Sequence, residues 1–193
     1  MMDTLLGAVF LAAVAQNLVL DGLLGLCPAI ALSQRHVVAT GMALLALVVL
    51  PMYCLLAYAV RTWVLAPLGA ETLTLITWVV LAYAISPCMN ACLRQYAPGM
   101  LQRYGNYLPF FSVNCLVLGS VLLTLSRQSN LVTVLAGGVG TAMGYAIVLL
   151  LMASFRERLD MTAVPTLLRG VPIAVITLGI LSLAVLGLRG VGT

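Results

Sequence analysis

The chain has little charge and no lysine. Only 7% of its 193 residues are charged, and all nine basic residues are arginines. Against 63% hydrophobic residues and a mean hydropathy of +1.17, that scarcity excludes a soluble domain, which would lack the polar groups to cover its surface. A net charge of +4, scattered over arginines with no basic patch, excludes a nucleic-acid partner and reads instead as orientation signals and lipid headgroup contacts. A basic segment ahead of the first apolar run is also missing. The small residues at 13–15, which look like a signal-peptidase site, are therefore expected to belong to a retained first helix. No nucleophile stands beside a base, and there is no metal-hydrolase helix and no motif for covalent flavin attachment. The GGVGTAMG stretch from Gly137 has the wrong glycine spacing for a dinucleotide loop and opens no βαβ unit, so its small residues, Gly140 and Gly144 among them, are expected to let another helix approach.

What remains is long apolar runs. Six of them, at 5–26, 37–60, 73–93, 107–125, 131–155 and 171–188, have the length of helices crossing about 30 Å of hydrocarbon, and none shows the alternation of a barrel strand. They predict an all-α membrane protein, one integral membrane domain over residues 1–193. Arg35, Arg94, Arg103, Arg156, Arg158 and Arg169 fall in the first, third and fifth loops, whereas Arg61, Arg127 and Arg189 lie on the side of the termini. Positive loops face the cytoplasm, so both termini are expected outside it.

The hexapeptide NLVLDG from Asn17 resembles NCLVLG from Asn114, and each opens a three-span half, about 1–97 and 98–193. Halves with an odd number of spans insert in opposite orientations, which predicts two inverted three-helix repeats meeting near the bilayer midplane. Gly22, Gly25 and Pro28 follow the first hexapeptide, and Gly105, Asn106 and Pro109 precede the second, so the first helix of each repeat is expected to be broken. Backbone groups freed there need partners, for which Gln16, Asn17, Asn114 and Asp21 are available.

Cys27 and Cys115 sit at those two breaks. From residue type alone a thiol in a membrane helix is either a small buried hydrophobe or a ligand for a soft metal, and both readings stay open. Cys54 reads as packing. Cys88 and Cys92 share a helical face at i and i+4, but without a second pair or a nearby His or carboxylate they too read as packing. His36 reads as a solvated loop residue. Arg156, Glu157 and Arg158 read as a solvated ion pair or a docking surface at the end of the fifth span, and Asp21 as a cap or a functional carboxylate.

Three strings, QNLVLDGLLGLCP, LPFFSVNCLVLG and FRERLD, together with VPIAVITLGILSLAVLG, closely resemble the Rnf and Nqr membrane subunits, above all the A subunit of the Rnf electron-transport complex, a relative of the E subunit of the sodium-pumping NADH:quinone reductase. The resemblance implies membership of a bacterial inner-membrane, ion-translocating oxidoreductase of the ferredoxin:NAD type, with both termini periplasmic. It implies pairing with a homologous membrane subunit of opposite topology, the Rnf E subunit, among the other subunits of the complex. The two together would hold a [2Fe-2S] cluster, to which this chain gives Cys27 and Cys115, and pass electrons coupled to Na+ or H+ transport. Asn90 stands where the family carries a glutamate, which puts an ion path through the third span in doubt. A redox-inert inverted-repeat transporter is the rival class, although a transporter would be expected to carry more intramembrane charge than Asp21 supplies.

Overall fold

The computed structural model describes residues 18–22, 24–25, 29–30, 33, 36–68, 73–96, 99, 114–127, 130–160, 165 and 169–190. Among these, all regular structure is helical. The helices are α1 (Leu18–Gly22), α2 (His36–Val60), α3 (Thr74–Tyr96), α4 (Cys115–Arg127), α5 (Leu131–Asp160) and α6 (Val171–Gly190). Beyond Val60, α2 continues through a π-helical turn, Arg61–Leu65, and a last α turn, Ala66–Leu68. Two helices, His36–Leu65 and Leu131–Leu159, are long and apolar enough to cross a membrane, and Thr74–Ile85, Cys115–Leu125 and Val171–Gly187 are shorter apolar helices.

The long pair, α2 and α5, makes the most extensive contact in the molecule and forms its centre. The two run antiparallel: His36, at the start of α2, meets Glu157 near the end of α5, while Pro51 and Cys54 lie against Gly138 near the start of α5. Lipid offers no hydrophobic drive for helix association, so such a pair is held by close van der Waals packing, which small residues permit. A Cβ on Gly138 would come within 3.2 Å of both the Pro51 Cα and the Cys54 Sγ, and one on Gly137 would fall on the Thr124 methyl of α4. The close approach expected of the glycine-rich stretch is thus seen at Gly137 and Gly138. Around this seam Met42, Ala46, Leu50, Leu149 and Met152 are fully buried.

The other helices lean on this pair. α3 is tied to α2 by the buried Tyr53 hydroxyl, which donates to the Trp78 carbonyl, and α6 to α5 by the Thr177 hydroxyl against the Met152 sulfur at 3.8 Å. Their outer faces are bare: Ile76, Val80 and Tyr83 on α3 and Ile180, Leu183 and Leu186 on α6 are exposed apolar side chains suited to lipid or to a neighbouring protein. Trp63, 81% exposed in the π-helical turn beside Arg61, has the character of a residue at a membrane–water interface.

The expected break in the first helix is visible. α1 ends at Gly22, a turn follows at Leu24 and Gly25, and helical bonding resumes with the Ala29 N–H on the Gly25 carbonyl at 3.1 Å. The last carbonyls of α1 have no partner within their own helix and find them elsewhere, as a low-dielectric setting demands. Leu20 accepts the Ser182 hydroxyl of α6 at 2.7 Å, and beyond the break Ile30 accepts Arg156 Nη1 at 3.0 Å. Residues 101–113, where the second break is expected, lie outside the described residues.

Candidate functional site

The break after α1 meets Cys115. This residue opens α4, and its sulfur accepts the backbone N–H of Gly25 at 3.1 Å, across 90 residues of sequence. Gly25 has φ +87°, a left-handed conformation that other residues adopt only at a cost, and a Cβ there would stand 3.0 Å from the Leu116 Cβ. Only glycine lets the turn after α1 seat this closely on the first turn of α4. The turn belongs to the GLCP segment, with Cys27 two residues beyond.

Asn114 caps α4. Its Oδ1 accepts the Leu116 N–H at 3.4 Å and lies 3.3 Å from the Cys115 thiol, while its carbonyl accepts the Leu118 N–H at 3.2 Å. The residue is 5% exposed, yet its Nδ2 has no hydrogen-bond partner among the described residues. Cys115 itself is exposed at the surface of this chain. α4 is short: its 13 residues span about 20 Å at 1.5 Å per residue, two thirds of a hydrocarbon core of about 30 Å. The N-terminus of a helix that starts inside the core is an electropositive end suited to electron-rich groups.

These features fit a thiolate ligand to an iron-sulfur group. The thiol is accessible from outside the chain, a backbone N–H already points at its sulfur, and the preceding Asn114 carries a buried amide nitrogen with no partner among the described residues. Among the described residues no three His, Cys, Asp or Glu side chains gather. Cys27 lies outside the described residues, as do Gln16 and Asn17. Cys88, Asn90 and Cys92 belong to α3 and Asp21 to α1, but their side chains also lie outside them. Cys54 is a packing residue: buried between α2, α4 and α5, it meets the Thr124 hydroxyl at 4.0 Å and sits over Gly138.

The ends of the bundle depart from the sequence reading. His36 is the first residue of α2 rather than a free loop residue, and its Nε2 lies 3.0 Å from Glu157 Oε2. Arg156 is committed to the Ile30 carbonyl rather than to Glu157. At the other end Arg61 donates to the Leu125 carbonyl in the last turns of α4. In the sequence, Arg61 is legible only as an orientation signal, and Arg156 as that and as part of a solvated ion pair or docking surface. Their places at the ends of the second and fifth apolar runs are the available hint that they also serve as caps.

A bundle of long apolar helices centred on an antiparallel pair is the build of a helical membrane protein. The family described as "Rnf-Nqr subunit, membrane protein" matches residues 5–192, so the chain belongs to the Rnf-Nqr family. It is 38% identical to the A subunit of the ion-translocating oxidoreductase complex of Alkalilimnicola ehrlichii, over 90% of either chain. It is 33% identical to the A subunit of the Na(+)-translocating ferredoxin:NAD(+) oxidoreductase complex of Acetobacterium woodii, over 97% of either. The corresponding A subunit of Vibrio cholerae O1 El Tor is 36% identical over 90% of either.

Proposed function

We propose that this chain is the A subunit of an ion-translocating ferredoxin:NAD oxidoreductase complex and contributes Cys27 and Cys115 to a [2Fe-2S] cluster shared with a homologous protein of opposite topology, of the Rnf E type. The observation that carries it is the Gly25 N–H on the Cys115 sulfur, which joins the GLCP turn to the start of α4. When bound, the cluster supplies a one-electron relay between cofactors on the two sides of the membrane. The residues of this chain do the rest. Gly25 and Asn114 hold the Cys115 sulfur at the chain surface, where the homologous partner can complete the ligand set, and the surrounding apolar helices keep water away. Electron passage is coupled to Na+ or H+ movement through the complex.

The architecture proposed with it is one domain over 1–193, six spans in two inverted halves, in a bacterial inner membrane with both termini periplasmic. Three features support it. α2 and α5 are antiparallel, as counterparts under an in-plane two-fold axis must be. Arg61 and Leu125 sit at one end of the bundle, and Arg156 and Ile30 at the other, as alternating loops require. α4, at 13 residues, is too short to cross the hydrocarbon core by itself.

The test is iron, acid-labile sulfide and the electron paramagnetic resonance signal of the purified complex. The unaltered pair should carry about two irons. Cys27→Ser and Cys115→Ser should lose them while the complex still assembles, because a hydroxyl is a poor iron ligand beside a thiolate, and Cys54→Ser should keep them. Full iron in both of the first two variants would sink the reading, and a complex without iron would favour the inert transporter.

A further inference from the structure

We infer that the side-chain amide of Asn114 donates a hydrogen bond to sulfur of the group that Cys115 holds, and thereby raises its reduction potential. The inference rests on the proposed cluster and deepens it.

Capping α4 needs only an acceptor, and Ser, Thr, Asp and Asn all supply one. Asparagine alone among them adds an NH2 with two donors. Here the orientation of the carboxamide is settled by its neighbour: the Leu116 N–H at 3.4 Å requires an oxygen, so the nitrogen takes the other side. That nitrogen is buried and has no partner among the described residues, in an apolar setting where an unpaired donor is costly. It belongs to the same carboxamide, about 2 Å across, whose oxygen lies 3.3 Å from the Cys115 sulfur. Once Cys115 ligates as a thiolate, the thiol proton is gone and the oxygen keeps only its cap. Among the described residues Nδ2 is then the one side-chain polar atom of Asn114 without a partner, on a carboxamide whose oxygen end stands 3.3 Å from the Cys115 sulfur, so a modest turn of the side chain brings it to sulfur of the bound group.

The Gly25 N–H on the same sulfur makes this a two-sided arrangement, with one donor from each half of the chain. Donors to thiolate or sulfide sulfur stabilise the reduced, more electron-rich state over the oxidised one, so they move the potential upward. Gly25 acts through the backbone and cannot be removed by substitution. The Asn114 amide can.

The experiment is a redox titration of the purified complex, followed by electron paramagnetic resonance, with Asn114→Asp and Asn114→Ser beside the unaltered protein. Both variants keep a cap acceptor. Asp replaces the donor nitrogen with an oxygen at nearly constant shape, and Ser removes the amide without adding charge. Iron content should be unchanged. At fixed potential the ratio of reduced to oxidised cluster should fall about tenfold in Asn114→Asp, which is about 59 mV for a one-electron couple, and by less in the same direction in Asn114→Ser. Iron retained with the midpoint unmoved in both variants overturns the inference and leaves the proposed cluster standing. Loss of iron from both makes Asn114 a structural cap only and also overturns it, whereas if one variant keeps iron, its midpoint decides. A complex that lacks iron in the unaltered protein sinks the proposed function and this inference together.

Discussion

At one end of the bundle Arg61, just past α2, reaches the carbonyl of Leu125 near the end of α4; at the other, Arg156, in the last turns of α5, reaches the carbonyl of Ile30 beyond α1. Each arginine thus reaches a backbone carbonyl of a distant segment, at the end of α4 in one case and beyond the break after α1 in the other. Their positions also correspond, with counterparts 95 residues apart in both members, from 61 to 156 and from 30 to 125. The ends are otherwise unlike. Arg61 sits in a π-helical turn beyond the helix that carries Pro51, whereas α5 runs as unbroken α-helix and its end carries the added His36–Glu157 pair. What recurs is the part that backbone physics demands: the last carbonyls of a short helix need donors where water is scarce. What differs is local: a π-helical turn at one end and the His36–Glu157 contact at the other.

The comparison breaks most completely at the seam the two halves share. Gly138→Leu puts a branched side chain where even a Cβ would stand 3.2 Å from the Pro51 backbone, so α2 and α5 must separate. A loss of about 3 kcal/mol or failure to accumulate is expected, from thermal unfolding in detergent and from membrane yield. Near-normal stability would mean that α2 and α5 do not pack as described.

Gly25→Ala should cost about 1–3 kcal/mol, from the left-handed backbone and the Leu116 contact together. It tests the junction of the halves rather than their seam. Alanine there with unchanged stability and unchanged cluster signal would remove the claim that the turn seats on α4.

The arginine caps sharpen the comparison directly. Arg61→Gln and Arg156→Gln should each cost about 1 kcal/mol, with the effect crossing between halves. Hydrogen exchange should rise near the end of α4 in Arg61→Gln, and around residues 29–30 in Arg156→Gln. Exchange that rises only in the half bearing the substitution contradicts these long-range contacts. The smallest effect belongs to the element that does not recur. Glu157→Gln replaces the carboxylate that His36 Nε2 meets, at a partly exposed site, and should change stability by less than about 1 kcal/mol, measured by thermal unfolding in detergent.

Much of this was legible in the string. The apolar runs located α2, α3, α5 and α6 within a few residues, because a membrane span must satisfy its backbone internally and so announces itself by length. The break after α1 was legible from Gly22, Gly25 and Pro28, and the place of Cys115 from the asparagine before it. The role of His36 was not legible, since its partner lies 121 positions away and nothing local distinguishes a paired histidine from a solvated one. Arg61 was read for its sign alone and Arg156 as a partner for Glu157 or a docking surface, because sequence does not reveal which carbonyl a guanidinium will reach.

Composition by itself determined that this is a helical protein of the membrane, because so few charges leave no other solvent in which the chain could fold. Its motifs determined the family and nominated the two cysteines. Only the tertiary structure decided that Gly25 would meet Cys115, that Arg61 would reach the Leu125 carbonyl and that Arg156 would reach that of Ile30. Those are contacts between segments dozens of residues apart, and they depend on how closely α2 and α5 can pack, which in turn depends on the absence of a single side chain at Gly138.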